Sequence, residues 1–326
     1  IRSAEGGRAT ISVDPSSDTI PFDCHNNHIW FVDLDIDGND NLVMSRLLRI
    51  EGDGCYVLGC KIHNSGKHLL YLKDSTGSHI QGNEIHDSAI GSTGISANAI
   101  TLENCPNTRV INNELYRVQH ELISTDNSSG TEILFNKFHD CTGHALTLRN
   151  GGYKVAFNQF YNTVDSHGNL TDEFMQLSGA AIDANFILVH YGTANTLIAG
   201  NTFRHSAIEF IVVKGDHATQ LVGPISLLNN SGYRANVLTN DGALRIKDIA
   251  YAVNMTLLNN AFHSEGQIIN TTGDISGLAL TKNYNHWTGG TIDLAKGANS
   301  IHNASTASPF TNAPNGDFTP QAELLN

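Results

Sequence analysis

The sequence predicts an all-β chain wound as a single-stranded, right-handed parallel β-helix, a solenoid of stacked coils. Three observations carry this expectation. A short apolar run recurs as Leu48-Arg49-Ile50, Leu70-Tyr71-Leu72, Ile100-Thr101-Leu102, Leu122-Ile123-Ser124 and Leu146-Thr147-Leu148, mostly at steps of about 22 to 24 residues. Ten to twelve residues beyond each run stands a small or amide residue, with an apolar one two places on: Cys60 with Ile62, Asn83 with Ile85, Asn113 with Leu115, Asn136 with Phe138, Asn158 with Phe160. Between these positions lie Gly, Asn, Asp and Ser turns, and the segments they bound are too short and too β-branched for helices.

Each part of the unit has a physical reason. Strand alternation turns Leu48 and Ile50 inward and leaves Arg49 and Glu51 outside. The Asn positions, continued by Asn201 and Asn260, are expected to stack at the ~4.8 Å strand spacing as a ladder whose amides bond one another and cap the turns. Phe138, Phe160, Phe203 and Phe262 read as core stacks rather than sugar platforms. A leucine-rich repeat shares the period but needs a helical segment in every unit, and an antiparallel sandwich would not keep a coil-long register. The solenoid is expected over residues 1–300, with a long loop around 163–185 where Asp165-Ser166-His167-Gly168-Asn169 interrupts the pattern. Residues 301–326, which contain Pro309, Pro314 and Pro320, are expected as an irregular cap or tail.

Thirty-two acidic residues against 19 basic ones give a net charge of −13. Such a field argues against nucleic acid as a partner. It would repel an acidic polysaccharide as well, unless a local basic cluster or a bound cation offsets it. Hydrophobic residues make up 40%, yet no run approaches the ~20 that span a bilayer, so membrane insertion is not expected. The five cysteines, Cys24, Cys55, Cys60, Cys105 and Cys141, are odd in number without CxxC spacing and read as buried thiols. A start at Ile1-Arg2-Ser3-Ala4, with neither Met nor an apolar leader, reads as a mature or trimmed product, and the expected location is secreted or cell-surface.

One outward column can be followed up the stack: Glu51, Lys73, Glu103, the Thr125-Asp126 pair, Arg149, His190, Lys214 and Lys247. Tyr71, Thr101, Ile123 and Thr147 form its flank. Charges on neighbouring coils would lie ~5 to 10 Å apart, the scale of a sugar ring and its substituents. The plainer alternative is a solvated face whose mixed charges serve solubility. Arg149 stands beside the interrupting loop with His144, Asn150, Gly151 and Gly152 around it. The candidate catalytic residues are therefore Arg149, Lys214, His190 and Asp126, and the candidate substrate-binding residues are Lys73, Tyr71, Asn150 and Glu103. His63, His86 and His139 share a different column beyond the Asn positions, which reads as structural rather than as a metal site.

The stretch from His120-Glu121-Leu122-Ile123-Ser124 to His144-Ala145-Leu146-Thr147-Leu148-Arg149-Asn150-Gly151 resembles the core segment of polysaccharide lyase family six, the β-helical alginate lyases and chondroitinase B. The resemblance covers two coils. It implies that Arg149 corresponds to that family's catalytic arginine and that Glu121 corresponds to an acidic ligand of its calcium ion, making Ca²⁺ the implied cofactor. It also puts Asp126 where the family has a catalytic lysine, Asn150 where it has a histidine, and Gln119 where it has a second acidic calcium ligand. Elimination from a uronate needs a cation on the carboxylate, a base for the C5 proton and an acid for the leaving oxygen. The expected function is thus a lyase on an acidic polysaccharide of alginate or glycosaminoglycan type, Arg149 neutralising the carboxylate and Lys214, Lys73 or His190 serving as base. Asp126 with Glu103 would instead make a hydrolytic pair. A glycoside hydrolase, an epimerase, and a non-catalytic glycan-binding or structural β-helix of adhesin or tailspike type stand as the alternatives.

Overall fold

The computed structural model describes residues 8–14, 20–41, 45–89, 97–163, 185–215, 223–235, 242–264, 266–294, 297, 299–303 and 308–321. The expected loop at 163–185 therefore lies, but for its two end residues, outside the described residues. Three long sheets of 10, 10 and 12 strands run along the molecule, and a separate pair lies near the C-terminus. Each coil gives one strand to each long sheet: Arg46–Ile50 to sheet I, Tyr56–Leu58 to sheet II, Lys61–Ser65 to sheet III, after which His68–Lys73 returns to sheet I. Pairing between successive coils is parallel throughout the three sheets, for example His68–Lys73 against Arg46–Ile50 and Glu84–Ser88 against Lys61–Ser65. The architecture is a parallel β-helix.

The register corrects one expected row. Leu48, Leu70 and Ile100 align, and Leu146 joins them, but the member from the intervening coil is Ile123 and not Leu122. The cause is that two adjacent residues point inward where each of these strands begins: Leu47-Leu48, Leu69-Leu70, Ala99-Ile100, Leu122-Ile123 and Ala145-Leu146 are all buried. Alternation alone cannot choose between two neighbouring apolar residues. The shift has consequences for the face outside. Ser124, not Ile123, is the flanking residue in line with Thr101 and Thr147. Thr125 turns into the core, where its hydroxyl donates to the Thr147 carbonyl at 3.1 Å, so Asp126 alone belongs to the outer column.

The amide ladder forms and is longer than expected. From Asn83 it runs through Asn113, Asn136, Asn158, Asn201, Asn230, Asn260 and Asn285 to Ser300. Each Oδ1 from Asn113 onward accepts both the backbone and the side-chain N–H of the preceding amide, and each Nδ2 also reaches a strand carbonyl, as Asn136 does with Val110 at 2.9 Å. Beside it Phe138, Phe160 and Phe203 stack inside the core at 4.9 and 5.1 Å. His63 and His86 stack at 5.1 Å, and Tyr116 stands between His86 and His139, so the rings lie face to face. Lone pairs in such a stack do not converge on one point.

All five cysteines are free thiols, four of them buried. Ile301–Asn303 pairs with His286–Gly289 and extends sheet III one strand past the expected limit. The segment expected as irregular then forms an antiparallel hairpin, Phe310–Asn312 with Asp317–Pro320, which folds back along the solenoid so that Arg204 donates to the Pro314 carbonyl at 3.1 Å. Among the described residues no helix is long and apolar enough to cross a membrane.

Candidate functional site

The outer face of sheet I carries three parallel columns of side chains, most of them polar. The expected column is in register: Lys73, Glu103 and Asp126 pair coil to coil, and Lys214 pairs with Lys247. Arg149 and His190 adjoin in the same line, because His190 N–H bonds the Leu148 carbonyl and Asn150 N–H bonds the Tyr191 carbonyl. The second column holds Arg49, Tyr71, Thr101, Ser124, Thr147, Leu188, Val212 and Arg245. A third column stands two residues before each inward residue of the Leu48 row. It includes Arg46, His68, Asn98, Glu121, His144, Asn185 and Glu209.

At the centre of the face Arg149 reaches across its strand. Its guanidinium donates to Ser124 Oγ at 3.0 Å and to Glu121 Oε1 at 3.1 Å, while the Thr147 hydroxyl donates to the same Glu121 oxygen at 2.6 Å. His120 Nδ1 lies 3.5 Å from the other carboxylate oxygen. Burial alone would raise the Glu121 carboxyl pKa, but the His120 contact and the Arg149 charge outweigh it and hold the group well below the usual carboxylate range. A guanidinium carries five N–H donors, so a bound anion still finds donors on Arg149. A second pair repeats the device, with Arg245 donating to the buried Glu209 at 3.3 Å. Next to it a cavity of about 260 Å³ is lined by His144, Asn185, Leu188, Glu209, Lys214, Arg245 and Lys247.

The other candidates sit apart from that cavity. Tyr71 donates to Glu103 and lies under the Arg46 guanidinium, 4.1 Å from its ring centre. Burial and the Glu103 bond push its phenol up to about 12. Glu103, bonded by Tyr71 and 3.3 Å from Lys73 Nζ, is held below its ordinary range. Asp126 accepts a bond from Asn150 at 2.8 Å. Sequence reasoning did not single out Ser124, Glu209 or Arg245. With Ile123 assigned to the core row, the two-residue offset of Glu121 would have pointed to Glu209 ahead of Ile211.

The residues present do not fit a calcium ion at Glu121. Its oxygens are taken up by Arg149, Thr147 and His120, and Asp126 lies at the opposite end of the same strand, ~16 Å away at ~3.3 Å per residue. Glu103 is committed to Tyr71 and Lys73. No group of three or more His, Cys, Asp or Glu that would hold a metal occurs among the described residues.

His68, in the third column, gives a prediction of its own. Burial, then the nearby Arg46 charge, lowers its pKa from 6.5 to about 4. Between these values the unfolded chain binds a proton that the folded chain refuses, so stability falls as pH drops from 6.5 toward 4 and levels off below. A shift of that size corresponds to roughly 3 kcal/mol. Urea midpoints measured from pH 7 to 4 should show this loss, and His68→Gln should flatten it. An unchanged profile in the variant would remove His68 from the account.

The family model described as "Right handed beta helix region" matches residues 9–203. Among solved structures, a periplasmic alginate epimerase is 13% identical with a TM-score of 0.51, over 89% of this chain and 64% of that one. An alginate lyase from Paenibacillus sp. is 13% identical with a TM-score of 0.50, over 91% of this chain and 99% of that one. A thermostable α-1,3-glucanase from Streptomyces thermodiastaticus is 12% identical with a TM-score of 0.53, over 88% of this chain and 57% of that one. The chain thus spans less than two thirds of the epimerase and of the glucanase. At these identities the likeness is one of fold. A search of curated protein sequences returns no significant match. Residues 9–203 are more than half of the chain, and with three long parallel sheets behind that match the chain belongs to the right-handed β-helix family.

Proposed function

We propose that this is a carbohydrate-active β-helix whose sheet I face binds an acidic polysaccharide and cleaves it by β-elimination. The observation that carries the reading is the cavity bounded by Lys214, Arg245 and Lys247, continuous in register with His190 and Arg149, on a chain of net charge −13. A surface so acidic overall gathers four cations on one short stretch to hold a polyanion against the global field. In this scheme Arg149, fixed by Glu121, takes the carboxylate of the reacting uronate and stabilises charge as the C5 proton leaves, while Arg245, fixed by Glu209 three coils further along, takes the carboxylate of another residue of the same polymer. His190, in line between Arg149 and Lys214, takes that proton; the electron pair forms the C4=C5 double bond, the C4–O bond breaks, and Lys214 protonates the departing oxygen. Export to where such polymers lie belongs to the same proposal.

Hydrolysis draws less support from this geometry. Glu103 and Asp126 do face each other on adjacent coils, but a hydrolase needs a carboxyl that keeps its proton, and Tyr71 and Lys73 hold Glu103 in the opposite direction. Fold likeness to an alginate lyase and an alginate epimerase fits a uronate substrate, and epimerisation shares the first proton abstraction. A screen against alginate blocks, pectate and glycosaminoglycans, reading unsaturated product, reducing ends and solvent-proton incorporation together, separates the readings. One unsaturated end per reducing end is the expected result. Reducing ends alone indicate hydrolysis, exchange without chain cleavage indicates epimerisation, and failure to bind any polyuronate overturns the proposal.

A further inference from the structure

The corner between sheets II and III lies away from the sheet I face. The residue just before each ladder position turns this corner in the left-handed region: Gly59, Gly82, Asn112, Gly200, Asn229 and Asn259 have φ between 55° and 67°. Glycine or asparagine there is what the conformation favours, since an ordinary Cβ crowds its own carbonyl. Tyr284, at φ 53°, departs from this pattern singly, and two successive coils depart from it together, with Phe135 at φ 57° and Phe157 at φ 59°. Both rings are more than half exposed, at 53% and 55%, and stack on each other at 5.2 Å and 12°. Bulky side chains held in a costly conformation and left in water are what a fold retains for a ligand rather than for its core.

The surroundings say which ligand. A Cβ at Gly200 would stand 2.8 Å from the Phe157 ring, so that glycine gives the upper ring its place. On the other side, below Phe135, the corner positions are Gly82 and Asn112, and a cavity of about 340 Å³ opens over them, with Phe135 as one wall and Glu84, Glu114 and Lys137 at its side. The two carboxylates are steadied from beneath: Tyr116 donates to Glu84 at 2.8 Å, and His139 Nε2 lies 3.5 Å from Glu114. An aromatic face beside fixed acceptors and one donor matches a pyranose, whose C–H face lies on a ring while its hydroxyls bond at the edge. Two carboxylates against a single lysine disfavour an acidic sugar. We propose that the Phe135 corner is a binding site for a neutral glycan, distinct in charge preference from the sheet I face and independent of the activity assigned to that face.

Affinity electrophoresis of the intact protein in gels containing hydroxyethyl cellulose, galactomannan or soluble starch tests this, with alginate gels as the contrast. At least one neutral polymer should retard the protein. Phe135→Asn, which installs the residue found at positions 112, 229 and 259, should fold with an unchanged or higher melting temperature and weaken the apparent Kd at least tenfold. Retardation by alginate should be untouched in that variant, and Arg149→Ala should leave neutral-glycan retardation as it was. Equal retardation of Phe135→Asn and wild type by the neutral polymers, or no retardation by any of the three, overturns the site. Sedimentation showing self-association that Phe135→Asn abolishes overturns it too, by assigning the corner to a second copy of the chain.

Discussion

Replacing Arg149 with alanine is expected to lower turnover on the preferred polyuronate by on the order of a hundredfold or more, because the lost guanidinium opposes charge that grows as the C5 proton leaves. The same substitution strips the buried Glu121 of its cation, and Glu121 keeps only Thr147 and the more distant His120. Breaking such a pair from one side costs about 3 to 5 kcal/mol, so inactivity alone would be ambiguous. Two further variants separate the effects. Glu121→Gln/Arg149→Ala removes both charges together and should regain most of the stability without regaining turnover. Arg149→Lys keeps a charge but not the planar fork that spans Ser124 and Glu121, and should fold with activity between the two. Full turnover in a folded Arg149→Ala protein would reduce the face to a solvated surface and end the lyase reading.

The fold was legible in the sequence because a β-helix repeats the same physical demand in every coil. Asn83, Asn113, Asn136, Asn158, Asn201 and Asn260 fall at the same place after each apolar run, since an amide there accepts from the coil before with its oxygen while its nitrogen donates onward. Asn230 and Asn285 serve the same ladder but were not picked out, one beside a second asparagine and one where the pattern fades toward the C-terminus. The outer column from Lys73 to Lys247 was readable by alternation alone. What alternation could not give was the register at Leu122-Ile123, where two inward residues adjoin, and that one-residue ambiguity hid Ser124 beneath Arg149.

The site was legible only where charge stood in a single column. Glu121 and Arg149 are 28 residues apart and belong to different columns, so their pairing depends on a side chain crossing a strand, which no spacing rule reports. The same holds for Arg245 with Glu209, 36 residues apart. Glu103 illustrates the opposite failure. By position it suited a proton donor opposite Asp126, and only the Tyr71 hydroxyl and Lys73 around it show that its proton is not retained.

Asn136→Ala is expected to be the most damaging single truncation on the ladder. Its Nδ2 donates to the Val110 carbonyl at 2.9 Å and to Asn158 Oδ1 at 3.0 Å, and its Oδ1 accepts the Asn113 backbone and side-chain N–H groups at 2.9 and 3.0 Å. Asn136, Asn113 and Asn158 are each at most 2% exposed, so the groups left behind have no route to solvent. Each buried donor or acceptor stranded in this way costs about 1 to 3 kcal/mol, which puts the substitution at roughly 4 kcal/mol or more. In a solenoid every coil leans only on its neighbours, so the loss should be read locally as well as globally. Hydrogen exchange should speed up most for amides of the coils that contain Asn113, Asn136 and Asn158, and the urea midpoint should fall. Asn285→Ala, at the end where Ser300 closes the ladder, should cost less, because there the loss falls at the margin of the stack. A shift below about 1 kcal/mol for Asn136→Ala, with exchange unchanged in the neighbouring coils, would mean that water replaces the amide and that the apolar rows alone hold the coils in register.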